Sequence, residues 1–186
     1  MKLTFIILLF LVNLISANPK KDVLGFLKLI YPIQADLLIE TKDLKNGYIR
    51  YSQKSSEGFS EFAIWIKKNK EVIAAEASYG CGPGCSLSSI KFYEFNGENY
   101  TEVTNKFYPA KKIEAIFKKR LAALSVKDKE NDPSLWILIP EKGTTILIGI
   151  NKDPISVENI LNIAELKWNG NGFDLIEKNN LSRLQY

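Results

Sequence analysis

Short runs of β-branched and aromatic residues alternate with turn chemistry along this chain, and that punctuation limits its fold more than any other feature. Residues 48–53, 61–67, 71–79, 87–95 and 100–103 read as strands separated by short polar breaks. Lys68-Asn69-Lys70 and Asn96-Gly97 fall where hairpin tips belong. Asn-Gly tolerates positive φ at both central positions, which suits the turn that matches strand twist. Five such runs in succession describe an antiparallel meander. Strands are expected again at 135–139, 144–150, 164–168 and 172–176, with a short helical connection around 157–163.

The period changes in two places. Val23, Leu24, Phe26, Leu27, Leu29 and Ile30 form a broad face at helical spacing that Pro32 ends, which predicts a helix over 20–30. A second apolar group at 33–39 reads as another turn or two of helix before turn chemistry at 42–47. Ile113, Ile116, Phe117, Leu121 and Leu124 share one stripe and predict a helix over 110–124. Lys111, Lys112, Lys118, Lys119 and Arg120 cover most of its remainder. A solvated lysine face is the commoner meaning of such a pattern, a membrane surface or acidic partner the rarer one. The expected architecture is one α+β domain whose antiparallel meander buries one face under these two amphipathic helices.

The N-terminus carries a different message. Met1-Lys2 precedes an unbroken apolar run from Leu3 to Val12, and the small pair Ser16-Ala17 stands before Asn18-Pro19. This is the pattern of a cleavable secretory signal peptide over 1–17, cut after Ala17, and the run is shorter than the roughly 20 residues of a membrane span. The expected product is a single domain over 18–186, soluble in the periplasm or the medium, with no transmembrane segment. Losing Lys2 leaves 24 Lys+Arg against 21 Asp+Glu, so the mature chain is weakly basic. No nucleic-acid role is expected from so small and dispersed an excess.

Gly80-Cys81-Gly82-Pro83-Gly84-Cys85 holds both cysteines of the sequence among three glycines and a proline. In an oxidising compartment the plainest reading of Cys81 and Cys85 is a local disulfide that shapes a turn. A redox-active pair is the alternative, although a thioredoxin-type site has two residues between its cysteines and here there are three. Metal binding is the third reading. Copper delivery wants His or Met as further ligands, a structural zinc wants four N or S donors, and the mature chain has no His and no Met. No cofactor and no metal site is expected. Gly82, Pro83 and Gly84 form a candidate partner-contact loop.

Sliding the chain on itself by 73 residues brings Phe95-Asn96-Gly97 onto Trp168-Asn169-Gly170, Ile64 onto Ile137, Lys70 onto Gly143 and Ile73 onto Ile146. One offset across two hairpins points to two related β units, 61–103 and 134–176. The other reading stays open, since two meanders with Asn-Gly turns align somewhere by chance. The aromatic-Asn-Gly-x-x-aromatic form resembles hairpins of β-propeller-type and integrin-like repeat proteins, but two units do not close a propeller. The leader, the Cys-Gly-Pro-Gly-Cys loop, Phe95-Asn96-Gly97 and Leu166-Lys167-Trp168-Asn169-Gly170 together resemble a group of small exported bacterial proteins without an assigned activity. That resemblance implies export and a hairpin-rich fold, and brings no catalytic residues with it.

Chemistry is otherwise sparse. A Ser, Thr or Cys nucleophile needs a base within hydrogen-bond reach, and without His that base would be Lys, Asp or Glu in a motif the sequence does not show. Glu76 stands inside Ala74-Ala75-Glu76-Ala77 and could be half-buried; a strand whose other face is wet is the plainer reading. Trp65, Trp136 and Trp168 could form a platform for a glycan or peptide, with packing in the core the default. The loop 127–133 places acids at alternate positions, but Pro133 stands where a calcium loop needs Gly. The expected function is that of an exported, non-enzymatic protein binding an envelope or extracellular partner. An inhibitor of a secreted hydrolase and a carboxylate-only hydrolase acting on a glycan are the alternatives, the last requiring two acids that face each other across a cleft.

Overall fold

The computed structural model describes residues 22–32, 36–125, 132–153 and 160–183. Its elements are α1 (Val23–Ile30), β1 (Leu37–Asp43), β2 (Tyr48–Gln53), β3 (Gly58–Ile66), β4 (Val72–Cys81), β5 (Cys85–Asn96), β6 (Asn99–Glu102), α2 (Thr104–Phe107), α3 (Ala110–Ala122), β7 (Ser134–Leu138), β8 (Thr145–Asn151), β9 (Ile160–Trp168) and β10 (Phe173–Arg183). Strands β1 to β6 form one antiparallel meander in sequence order, and β7 to β10 form a second. The expected leader lies outside the described residues.

α1 follows from local chemistry. The Asp22 carboxylate accepts a hydrogen bond from the Gly25 N–H at 2.9 Å, capping the helix start. The last turn closes where the Tyr31 N–H reaches the Leu27 carbonyl, just before Pro32. Val23, Phe26 and Leu27 are buried against Ile49, Tyr51, Phe62, Ala74, Tyr93 and Phe95 on one face of the first sheet. The opposite face carries Tyr48, Ala63, Trp65, Ile73, Ala75, Tyr79 and Phe92, and these pack against the second sheet.

The main partner of the first sheet is therefore another sheet, where two covering helices were expected. Trp136 stacks on Tyr79 at 4.5 Å between ring centroids, and Trp65 meets Phe173 edge-on at 5.1 Å. The Trp65 indole N–H donates to the Thr144 carbonyl at 3.1 Å, and the Tyr79 hydroxyl donates to the Ile137 carbonyl. Each large side chain buried in this way contributes roughly 1.5 to 3 kcal/mol. α3 buries only Ile113 and Ile116. Part of its basic side is tied to β10, where Lys119 and Arg120 both reach Glu177, at 2.8 and 3.0 Å.

Three local expectations are corrected. Of the apolar group at 33–39, residues 33–35 lie outside the described residues and 37–39 open strand β1, which pairing with β2 holds extended; the turn comes later, at 44–47. There the Asp43 carboxylate accepts the Asn46 N–H at 3.0 Å and Gly47 takes φ of 70°. Of the expected helical connection at 157–163, residues 160–163 open β9 and the rest lies outside the described residues. In the β5–β6 hairpin Asn96 still pairs with Asn99, so the two turn residues are Gly97 and Glu98, and only Gly97, at φ of 65°, is left-handed.

The shift of 73 residues carries β3, β4, β5 and β6 onto β7, β8, β9 and β10. It also carries the pair Phe95 and Tyr100 onto the pair Trp168 and Phe173. Lys70 and Gly143 coincide under it with φ of 71° and 89°, as do Gly97 and Gly170 with 65° and 95°.

Candidate functional site: a buried carboxylate beside the disulfide loop

β4 ends and β5 begins at a disulfide. Cys81 and Cys85 are cross-strand partners with Cα atoms 4.1 Å apart, joined through their sulfurs. Between them the Gly82 N–H closes the tip on the Gly84 carbonyl at 2.9 Å, leaving Gly82 and Pro83 exposed. The Cys81 N–H donates to the Glu57 carbonyl at 3.1 Å, which ties the tip to the β2–β3 connection. The adjoining Gly58 has φ of 141°, and a Cβ there would stand 2.1 Å from the Tyr79 carbonyl oxygen, so only glycine fits so close to β4. For a ring this small, chain entropy limits the disulfide to about 2 kcal/mol. That is close to the burial of a single core side chain, so the crosslink acts chiefly on the shape of the tip.

On the α1 face, just inside this end of the sheet, lies Glu76. It is 3% exposed, so the reading of a strand with one wet face is overturned. β4 is buried throughout 72–77 because α1 covers one of its faces and the second sheet the other. The Tyr31 hydroxyl, just past the end of α1, donates to both carboxylate oxygens at 2.9 and 3.0 Å. Tyr51 of β2 donates to Oε1 at 2.6 Å and Tyr93 of β5 to Oε2 at 3.1 Å. Ser78 adds a longer contact of 3.4 Å and exchanges a hydrogen bond of 2.9 Å with Ser60. Burial, reinforced by the adjacent Glu76 charge, pushes the ionisation of all three tyrosines far up, so they remain donors. Among the described residues none of the ion pairs involves Glu76. A cavity of about 260 Å³ opens here, lined by residues that include Tyr31, Tyr51, Ser60, Glu76, Ser78 and Gly80.

A second buried acid stands one strand away on the other face. Glu61 is 2% exposed, accepts from the Tyr48 hydroxyl at 3.0 Å and from the Ile139 N–H at 3.2 Å, and so links the two sheets. Burial raises its carboxyl to about 7, against the pull of those two donors. Glu76 pairs with Phe62 in the β3–β4 register and Glu61 with Ala77, so the two carboxylates point to opposite sides of the sheet. They do not form the facing pair that carboxylate-only glycoside hydrolysis requires.

No protein-family model matches the chain, and neither a curated protein nor a solved structure does. Function is therefore read from this geometry.

Of the residues singled out from sequence, Cys81, Cys85, Gly82, Pro83 and Gly84 form the tip and Glu76 lies in the cavity beside it. Trp65 and Trp136 are buried in the inter-sheet core and Trp168 packs at its margin, so the three do not make an open platform. Tyr31, Tyr51, Tyr93, Ser60, Ser78 and Glu61 were not legible. The tyrosines stand 45, 25 and 17 residues from Glu76, and only strand register brings them to it. Among the described residues no three of Cys, Asp and Glu gather in a way that could hold a metal ion.

Proposed function

We propose that the chain is an exported, non-enzymatic binding protein that engages an envelope or extracellular partner through the disulfide-closed end of its first sheet. The observation that carries this reading is the cavity over Glu76 opening next to a tip held by the Cys81–Cys85 bond. A concave site with convergent polar groups on a rigid scaffold is the usual form of a binding site. Export is supported by the leader pattern and by the disulfide, which persists in oxidising compartments. No helix among the described residues is long and apolar enough to cross a membrane. The exposed Gly82-Pro83 tip favours, as a second reading, an inhibitor that inserts this tip into the cleft of a secreted hydrolase. We also propose that 61–103 and 134–176 descend from one duplicated unit. The coincidence of left-handed residues at Lys70 with Gly143 and Gly97 with Gly170 supports it.

The experiment is capture of partners from the exporting cell by the native chain and by Pro83→Arg, an exposed change that leaves both buried cores untouched. Loss of the captured partner in the variant supports the tip as the contact, and unchanged capture overturns it. The N-terminus of the recovered protein tests export separately: a start near Asn18 is expected, and an intact Met1 in cytosolic protein contradicts it.

A further inference from the structure

We infer that the Glu76 cavity receives the ammonium head of a primary alkylamine. This rests on the binding role proposed above and names the chemistry of one part of what is bound.

Charge is the first argument. The lining includes two acids, Glu57 and Glu76, and neither Lys nor Arg. The hydroxyls of Tyr31, Tyr51, Tyr93 and Ser78 all converge on the two oxygens of Glu76. Hydroxyl dipoles replace part of its lost hydration but bring no opposite charge, so the cavity keeps a negative potential in a setting of reduced dielectric. Lys91 faces Glu76 across the β4–β5 ladder yet forms no ion pair with it. Such a site rejects anions outright and favours a cation over a neutral polyol of the same size.

The lining selects among cations. An alkylammonium carries three N–H donors on a compact head. Glu76 can accept one in place of the 3.4 Å Ser78 contact, its weakest partner, and the Ser60 and Ser78 hydroxyl oxygens offer acceptors beside it. Tyr31 and Tyr51, with ring centroids 6.4 Å apart, bring their hydroxyls to the carboxylate, and those oxygens are further acceptors within the cavity. About 260 Å³ suits a small head with a short alkyl stem. The same chemistry is presented by a free small amine and by a lysine side chain of a protein partner.

The test is NMR titration of the full chain with n-butylammonium, n-butanol and n-butyrate, and in a separate arm with a short lysine-containing peptide. The ammonium is expected to shift resonances of Gly80, Ser78 and Ser60 with a Kd of about 1 to 10 mM, the range open to so small a ligand. Butanol and butyrate should leave those resonances in place. Glu76→Gln should weaken the ammonium about tenfold or more, as loss of a charged hydrogen-bond acceptor does. Because Glu76 is buried, Glu57→Lys provides a second variant: its side chain is exposed, and it should weaken binding about threefold by adding positive charge at the cavity. Tighter binding of the peptide than of butylammonium assigns the site to a lysine side chain, and equal binding assigns it to a free amine. Butanol matching the ammonium, an unchanged affinity in both variants, or no shift with the ammonium up to about 50 mM overturns the inference. Absence of amine binding while Pro83→Arg still abolishes partner capture would remove this inference alone. Amine binding with capture indifferent to Pro83→Arg would remove the tip as the partner contact and leave the amine site standing.

Discussion

Replacing Glu61 by Gln should make the protein more stable above neutral pH and leave it nearly unchanged near pH 4.5. Glu61 is buried between the sheets, and burial raises its carboxyl from 4.5 to about 7. A folded-state value above the unfolded one means that the native protein binds this proton more tightly. The resulting stability is fully present below about 4.5 and is lost as pH rises through about 7. The difference of roughly 2.5 units corresponds to about 3 kcal/mol at most. Gln keeps the same shape and can still accept the Ile139 N–H, while its amide donates to the Tyr48 hydroxyl oxygen, which Glu61 uses as a donor. The assay is urea unfolding of both proteins from about pH 4.5 to 8.5, read as the difference between their stabilities. Glu71, Glu94, Glu114 and Glu177, whose carboxyls are held low chiefly by lysine partners, are common to both proteins and cancel in that difference. The difference should grow in favour of Gln between about pH 4.5 and 7 and level off above that. A difference that stays flat across the whole range would refute the claim that Glu61 is a buried, proton-linked carboxyl joining the two sheets.

Other perturbations follow from the same structure. Tyr51→Phe removes the 2.6 Å hydroxyl bond to Glu76 and should cost about 1.5 to 3 kcal/mol in urea unfolding, because a buried carboxylate loses a donor. Replacing both Cys81 and Cys85 by Ser should cost no more than about 2 kcal/mol and leave the far-ultraviolet circular dichroism unchanged, since the inter-sheet core carries the fold. Gly58→Ala should be far more damaging than Gly143→Ala, as judged by thermal melting. Both positions are left-handed, but the added Cβ would strike the Tyr79 carbonyl at 2.1 Å in the first and meet nothing in the second. Ile148→Ala should cost about 2 to 5 kcal/mol, as expected for a fully buried aliphatic residue of the inter-sheet core.

Features written in short stretches of sequence were the ones that could be read from it. α1, α3, the hairpin tip at Lys68-Asn69-Lys70 and the Cys81–Cys85 turn each depend on residues within a few positions of one another, and each stands where local chemistry places it. β1 escaped because 33–39 lacks a period that separates strand from helix, and its partner β2 decides the matter. β4 misled for a related reason. Its alternation suggests one wet face, but Ala74, Glu76 and Val72 are covered by α1 and its neighbours while Ile73, Ala75 and Ala77 meet the second sheet. The candidate site was half legible. Gly80 to Cys85 announces its turn through glycine and proline, whereas the tyrosine ring around Glu76 exists only once β2, β4, β5 and the end of α1 are in register. Nothing in a linear sequence ranks those tyrosines above the remaining five among its eight.

The central claim is that the disulfide-closed end of the first sheet is where this protein meets its partner. It is tested most directly by photo-crosslinking in the exporting cell, with the reactive side chain placed at Gly82, where an added Cβ meets no atom within 4 Å, and in a separate strain at Lys111 on the exposed side of α3. The account predicts a discrete crosslinked species from position 82 and none of that mass from position 111. The same species from both positions, or from 111 alone, would contradict it.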